Sequence, residues 1–118
     1  MAIQCTQIGG GTTDILTVPN DGSVANGYAV TAMLFCNTAI NPEDEIYTDG
    51  GDTYLELHLC ASGAAAGPEN LVLNNIPIPA GETFSMNDEK IILSPGDVVR
   101  AATTSPALIT ATISYMEV

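Results

Sequence analysis

The chain has almost no positive charge. Lys90 and Arg100 are its only cations against 14 Asp and Glu, for a formal charge of −12. A surface that grips phosphates releases counterions through several Lys or Arg side chains, so nucleic-acid binding is excluded, as is electrostatic attachment to anionic lipid. Tryptophan is absent and aromatic residues total 5%, too few for the usual platforms on which sugars stack. One histidine, His58, is all that any Ser-His-Asp or Cys-His arrangement could use. Cys5, Cys36 and Cys60 are odd in number and lack C-x-x-C spacing, so neither a disulfide framework nor a structural zinc site is expected. That cysteine usage fits folding in a reducing cytoplasm. No apolar run reaches the roughly 18 residues of a membrane span. The opening MAIQCTQIGG shows neither the basic nor the apolar region of a secretion signal.

What is present reads as β structure. At 118 residues and 12.2 kDa the chain has the length of one domain, and 46% apolar against 14% charged residues gives it a core to bury. Short apolar runs alternate with Gly, Pro and Asn clusters, as in an antiparallel sandwich or barrel. Runs over 2–8, 13–18, 27–37, 53–61, 71–76, 83–86, 90–93, 98–102 and 107–118 predict an all-β antiparallel β-sandwich of about eight strands, jelly-roll-like. Residues 1–11 read as an N-terminal strand or arm with a Gly-rich connection, and 12–118 as the sandwich body. Pro77 and Pro79 make their segment an edge or a connection, because proline donates no ladder hydrogen bond. The segment 62–68 reads as a flexible loop.

Strict alternation assigns the faces. In the run 27–37, Val30, Ala32, Leu34 and Cys36 fall on one side and Ala29, Met33 and Phe35 on the other. In 53–61, Leu55, Leu57 and Leu59 face inward, while Tyr54, Glu56, His58 and Cys60 face outward. The expected core is Val30, Leu34, Leu55, Leu57, Leu59, Leu71, Ile92, Val98, Ile109 and Ile113. Cysteine commonly behaves as a small buried hydrophobe, the reading given to Cys36 above all.

Chemistry is scarce. His58 and Cys60 share a strand face about 7 Å apart by strand geometry, a spacing open to a dyad or to an ordinary surface or interface histidine. Gly9-Gly10-Gly11 has no Lys-Ser/Thr behind it and is no phosphate loop. The segment 41–52 (NPEDEIYTDGGD) forms an acidic loop between two apolar strands. Glu43, Asp44, Glu45, Asp49 and Asp52 offer hard oxygen ligands, with Glu43, Asp44, Asp49 and Asp52 the candidates for a weak divalent site, but the spacing lacks the D-x-D-x-D-G pattern. A solvated loop is the plain alternative. Glu45, Ile46 and Tyr47 resemble an apolar anchor ringed by charge, an interaction patch. No catalytic residue, cofactor or resident metal is expected, and the chain reads as a non-enzyme.

Several segments resemble short proteins of tailed bacteriophages. They are I-L-T-V-P (Ile15 to Pro19), L-F-C-N-T (Leu34 to Thr38) and L-E-L-H-L-C-A-S-G (Leu55 to Gly63). Further along come Asn70 with L-N-N-I-P-I-P-A-G-E-T (Leu73 to Thr83), K-I-I-L-S-P-G-D-V-V-R-A (Lys90 to Ala101) and I-S-Y-M-E-V (Ile113 to Val118). The resemblance implies an all-β virion structural protein: a capsid decoration or cement protein, or a neck, tail or fibre accessory. It implies multiple copies and a partner in the major capsid protein or another virion protein. A carbohydrate- or calcium-binding sandwich module is the alternative from a different class. The segment 41–52 departs from the pattern, since relatives join the two strands more briefly.

Overall fold

A computed structural model describes residues 2–9, 11–39, 53–87, 90–104 and 109–118. Nine strands run in order: β1 (Ala2–Gln7), β2 (Thr13–Thr17), β3 (Tyr28–Asn37), β4 (Thr53–Cys60), β5 (Leu71–Ile78), β6 (Thr83–Met86), β7 (Ile91–Leu93), β8 (Val98–Thr103) and β9 (Ile109–Glu117). They form two antiparallel sheets. The larger has the order β1-β9-β3-β6, with β7 also pairing β3, and the smaller has the order β2-β8-β4-β5. The fold is an all-β sandwich whose strands match the apolar runs of the sequence to within a residue or two. β1 is part of the larger sheet, paired with β9 along its whole length.

The core lies between the sheets. Ile15, Val18, Leu55, Leu57, Val99 and Ala101 from one side meet Met33, Phe35, Ile109, Ala111 and Ile113 from the other, all nearly sealed from solvent. Burying a side chain of this size stabilises the fold by about 1.5–3 kcal/mol relative to leaving it exposed. At the ends, buried polar groups close the layers. Asn37 Nδ2 donates to the Ile78 carbonyl at 2.8 Å, and Thr53 Oγ1 lies 3.1 Å from Thr104 Oγ1.

Several expected faces are corrected. Leu34 is 41% exposed, Ile92 64% and Leu71 half-buried, whereas Leu59 packs against the core as expected but is only half-buried. The cause in β3 is a bulge: the β3–β9 register slips between Val30 and Ala32. One extra residue inverts the alternation beyond it, so Val30 points inward and the inward set continues as Met33, Phe35 and Asn37. Leu34 and Cys36 thereby turn outward, and Cys36 is only half-buried. Ile92 pairs with Ala29 on the outer side, leaving Ile91 and Leu93 to pack inward. The loop 62–68 leads into a short 3₁₀ turn over Pro68–Asn70.

Candidate functional site

The histidine belongs to the scaffold. His58, expected at the surface, is buried, because the loop after β4 folds back over it. Asn70 fixes that loop: its Oδ1 accepts the Gly67 N–H at 3.0 Å and its Nδ2 donates to the Ala65 carbonyl at 2.9 Å. The amide orientation is thus set, so His58 Nδ1, 2.8 Å from Asn70 Oδ1, carries the proton and donates. Its Nε2 sits 3.8 Å from Glu56 Oε2. Arg100 grips the same loop. Nη1 donates to the Ala64 carbonyl at 2.8 Å, and Nε pairs with Asp14 at 2.8 Å. Hydrogen bonding to Asp14, then contact with Cys60, raises the guanidinium pKa further. Cys60 is buried, Cys5 is exposed, and all three cysteines are free thiols. His58 therefore lies beneath a pinned loop, and Cys60, two residues further along β4, is buried as well.

The metal candidates Glu43, Asp44, Asp49 and Asp52, together with the anchor Glu45, Ile46 and Tyr47, lie outside the described residues. Among the described residues, no three His, Cys, Asp or Glu converge as a metal site, and no helix is long and apolar enough to cross a membrane.

The feature that stands apart is the outer face of the larger sheet. Register places Thr110, Thr112, Ser114 and Met116 of β9 on it, flanked by Ile3 and Cys5 of β1 and by Ala29, Ala32, Leu34 and Cys36 of β3. Thr83, Ser85 and Ile92 complete the far side. No outward strand position there carries a charge, although the chain holds 14 carboxylates. Four of the large exposed apolar side chains, Ile3, Leu34, Ile92 and Met116, lie on this face. Hydroxyls fill the space between them. Thr31 Oγ1, on the bulge, lies 2.6 Å from Ser114 Oγ, and Thr112 Oγ1 donates to Cys5 Sγ at 3.8 Å. A groove of about 330 Å³ borders the face, lined by Ala29, Thr31, Ile91 and Ile92 with Asn87 and Lys90. One of the two cations thus stands at its rim.

The outer face of the smaller sheet is different, since it carries Asp14, Arg100 and Glu56 and is partly roofed by the 61–70 loop. An uncharged sheet with apolar points and a basic rim can be dehydrated by a flat partner at little electrostatic cost, the usual chemistry of an interface core. The sequence reading missed it. The available signal was the uncharged alternate positions of 2–7 and 109–116, hidden in β3 by the bulge. No protein-family model, curated protein or solved structure matches the chain.

Proposed function

We propose that this chain is a non-enzymatic structural protein of a tailed-bacteriophage virion, and within it a capsid decoration or cement protein that coats the outer shell in many copies. The observation that carries the reading is the uncharged outer face of the larger sheet on an otherwise strongly acidic body. Such a protein needs one surface that docks and a remainder that stays solvated. The formal charge of −12 suits a position outside the shell, away from packaged DNA. Each contact can be weak, because a particle offers many sites and neighbouring contacts reinforce one another. The finer description of the sandwich as a jelly roll is supported by strand order. If β6 and β7 are counted as one interrupted strand, the sheets become 1-9-3-6/7 and 2-8-4-5, two interleaved four-stranded layers.

The test is copy number and occupancy. Purified particles carrying this chain should hold hundreds of copies, counted against the major capsid protein by quantitative mass spectrometry. A dozen or so copies would place it at a neck, tail or fibre, and its absence from particles would overturn the reading. Leu34→Glu combined with Ile92→Glu should abolish occupancy while leaving the circular dichroism spectrum unchanged.

A further inference from the structure

Two antiparallel sheets have four edges, and three of them here are blunted against pairing. The β2 edge breaks register between Asp14 and Leu16 and carries a charged residue. The β5 edge contains Pro77, two register breaks and the positive-φ residue Asn75. The third edge is split between β6 and β7, of four and three residues. Bulges, prolines, charges and short strands are the devices that keep sheet edges from joining. The β1 edge has none of them. Its six residues, A-I-Q-C-T-Q, are uncharged, lack proline and run in unbroken register against β9.

The ladder also shows which groups β1 offers. The Ile8 N–H donates to the Ile109 carbonyl at 2.9 Å, so Ile8 is a hydrogen-bonded position. In an antiparallel pair these positions alternate. Thr6, Gln4 and Ala2 therefore face β9, while Ile3, Cys5 and Gln7 turn both N–H and C=O away from it. Ala2 through Cys5 are exposed, and Ile3 is 68% exposed. At Ile3 and Cys5 no described strand pairs with this side.

We infer that β1 pairs antiparallel with β1 of a second copy of this chain, joining two larger sheets into one across a twofold axis. The occupant follows from symmetry and charge. Ile3 and Cys5, each with one donor and one acceptor, complement each other under a twofold rotation about Gln4. Ile3 then meets Cys5 of the second copy and Cys5 meets its Ile3, so the four outward groups of these two residues are paired in each copy, with Gln4 opposite Gln4 at the axis. Two bodies of charge −12 repel wherever carboxylates meet, and this strand brings none to the axis. The joined sheet also lays the two uncharged faces side by side, doubling the docking surface. The pairing goes beyond the virion reading and stands without it, because its test uses the purified protein alone.

Sedimentation equilibrium of the full chain, from micromolar to millimolar, should show a monomer–dimer equilibrium. Ile3→Pro removes an outward N–H from each copy without touching the β1–β9 ladder, and should raise the dissociation constant by about thirtyfold, two hydrogen bonds' worth. Should that variant fold poorly, the axis itself decides. Gln4→Glu, at an exposed side chain, should leave only monomers, as should Gln4→Lys, and an equimolar mixture of the two should recover dimers. A monomeric wild type at millimolar concentration would overturn the inference. So would a failure of the mixture to dimerise, or a dimer lost in Leu34→Glu but kept in Ile3→Pro, which would mean that the copies pack through their faces.

Discussion

Thr31 and Ser114 meet across the β3 bulge, with their hydroxyl oxygens 2.6 Å apart and the Thr31 hydroxyl also 3.0 Å from the Ser114 carbonyl oxygen. This pair ties down the one irregular point of the central β3–β9 ladder. Everything beyond it along β3 takes its facing from that irregularity: Met33 and Phe35 go to the core, and Leu34 and Cys36 go to the uncharged outer face.

The first prediction reads that facing directly. Phe35→Ala should lose about 3–5 kcal/mol of unfolding free energy, because a sealed aromatic leaves a cavity. Leu34→Ala, one residue away, should cost less than about 1 kcal/mol. Urea denaturation of the two variants checks it, and equal losses would mean that the alternation runs unbroken through Thr31.

Much of the fold is legible in the sequence because period-2 alternation and Pro/Gly turns are local signals. The edge position of the Pro77 strand and the inward row Ile109, Ala111 and Ile113 follow from them. The bulge is not legible, since it depends on how β3 registers against β9, some 80 residues away. Alternation alone consequently puts Leu34 in the core and hides the uncharged outer face. His58 fails for a similar reason. Its burial depends on a loop closing over it, and that loop is held by Asn70, twelve residues further on.

That closure gives the second prediction. Asn70→Ala leaves the buried His58 N–H without its acceptor and unties Gly67 and Ala65. The loss should be about 1–3 kcal/mol, the cost of an unsatisfied buried donor. Hydrogen exchange should speed up in 61–70 more than in the β9 strand. Uniform acceleration across both would mean that Asn70 supports the whole sandwich rather than its loop.

Gly27 supplies the third. It enters β3 at φ +106°, and a Cβ there would overlap the Leu93 carbonyl oxygen, a backbone atom that cannot move without pulling β7 away. Gly22 has a similar φ of +90° but opens onto free space. Gly22→Ala should cost about 1 kcal/mol from backbone strain alone, and Gly27→Ala on the order of 3 kcal/mol or more. Melting temperatures of the two proteins separate the effects.

The fourth concerns alkaline pH. Burial, and then the neighbouring Tyr115 and Glu117, raises the Tyr28 pKa above its ordinary value of 10.0. The two rings lie 4.5 Å apart, centre to centre. The folded chain therefore holds this proton more tightly than the unfolded chain does. Its contribution to stability is complete below the unfolded pKa and is lost as pH rises through the folded one. Melting temperature should fall more steeply in the wild type than in Tyr28→Phe between about pH 9 and 11. Parallel curves would show that the ring titrates freely.

The last prediction returns to the acidic segment 41–52. Both of its flanks are anchored independently of it: Asn37 is buried and bonded to the Ile78 carbonyl, and Thr53 is buried against Thr104. Replacing 41–52 with a shorter Gly-Ser linker should therefore leave the sandwich and its melting temperature intact, since the closure entropy of a connection between strands changes only slowly with its length. The exchange removes five carboxylates and takes the formal charge from −12 to −7. If the segment serves attachment, through Ile46 and Tyr47 ringed by Glu45 and its acidic neighbours, occupancy on particles lacking the wild type should drop. The salt response of binding should weaken with it, because fewer charges remain to be screened. Association of the copies with one another should move the opposite way. Less repulsion between bodies favours dimers at low ionic strength, whereas the wild type should need added salt to reach the same dimer fraction. Measuring both quantities across one salt series distinguishes an attachment segment from a merely solvating one: unchanged occupancy, together with tighter self-association, assigns 41–52 to solubility alone.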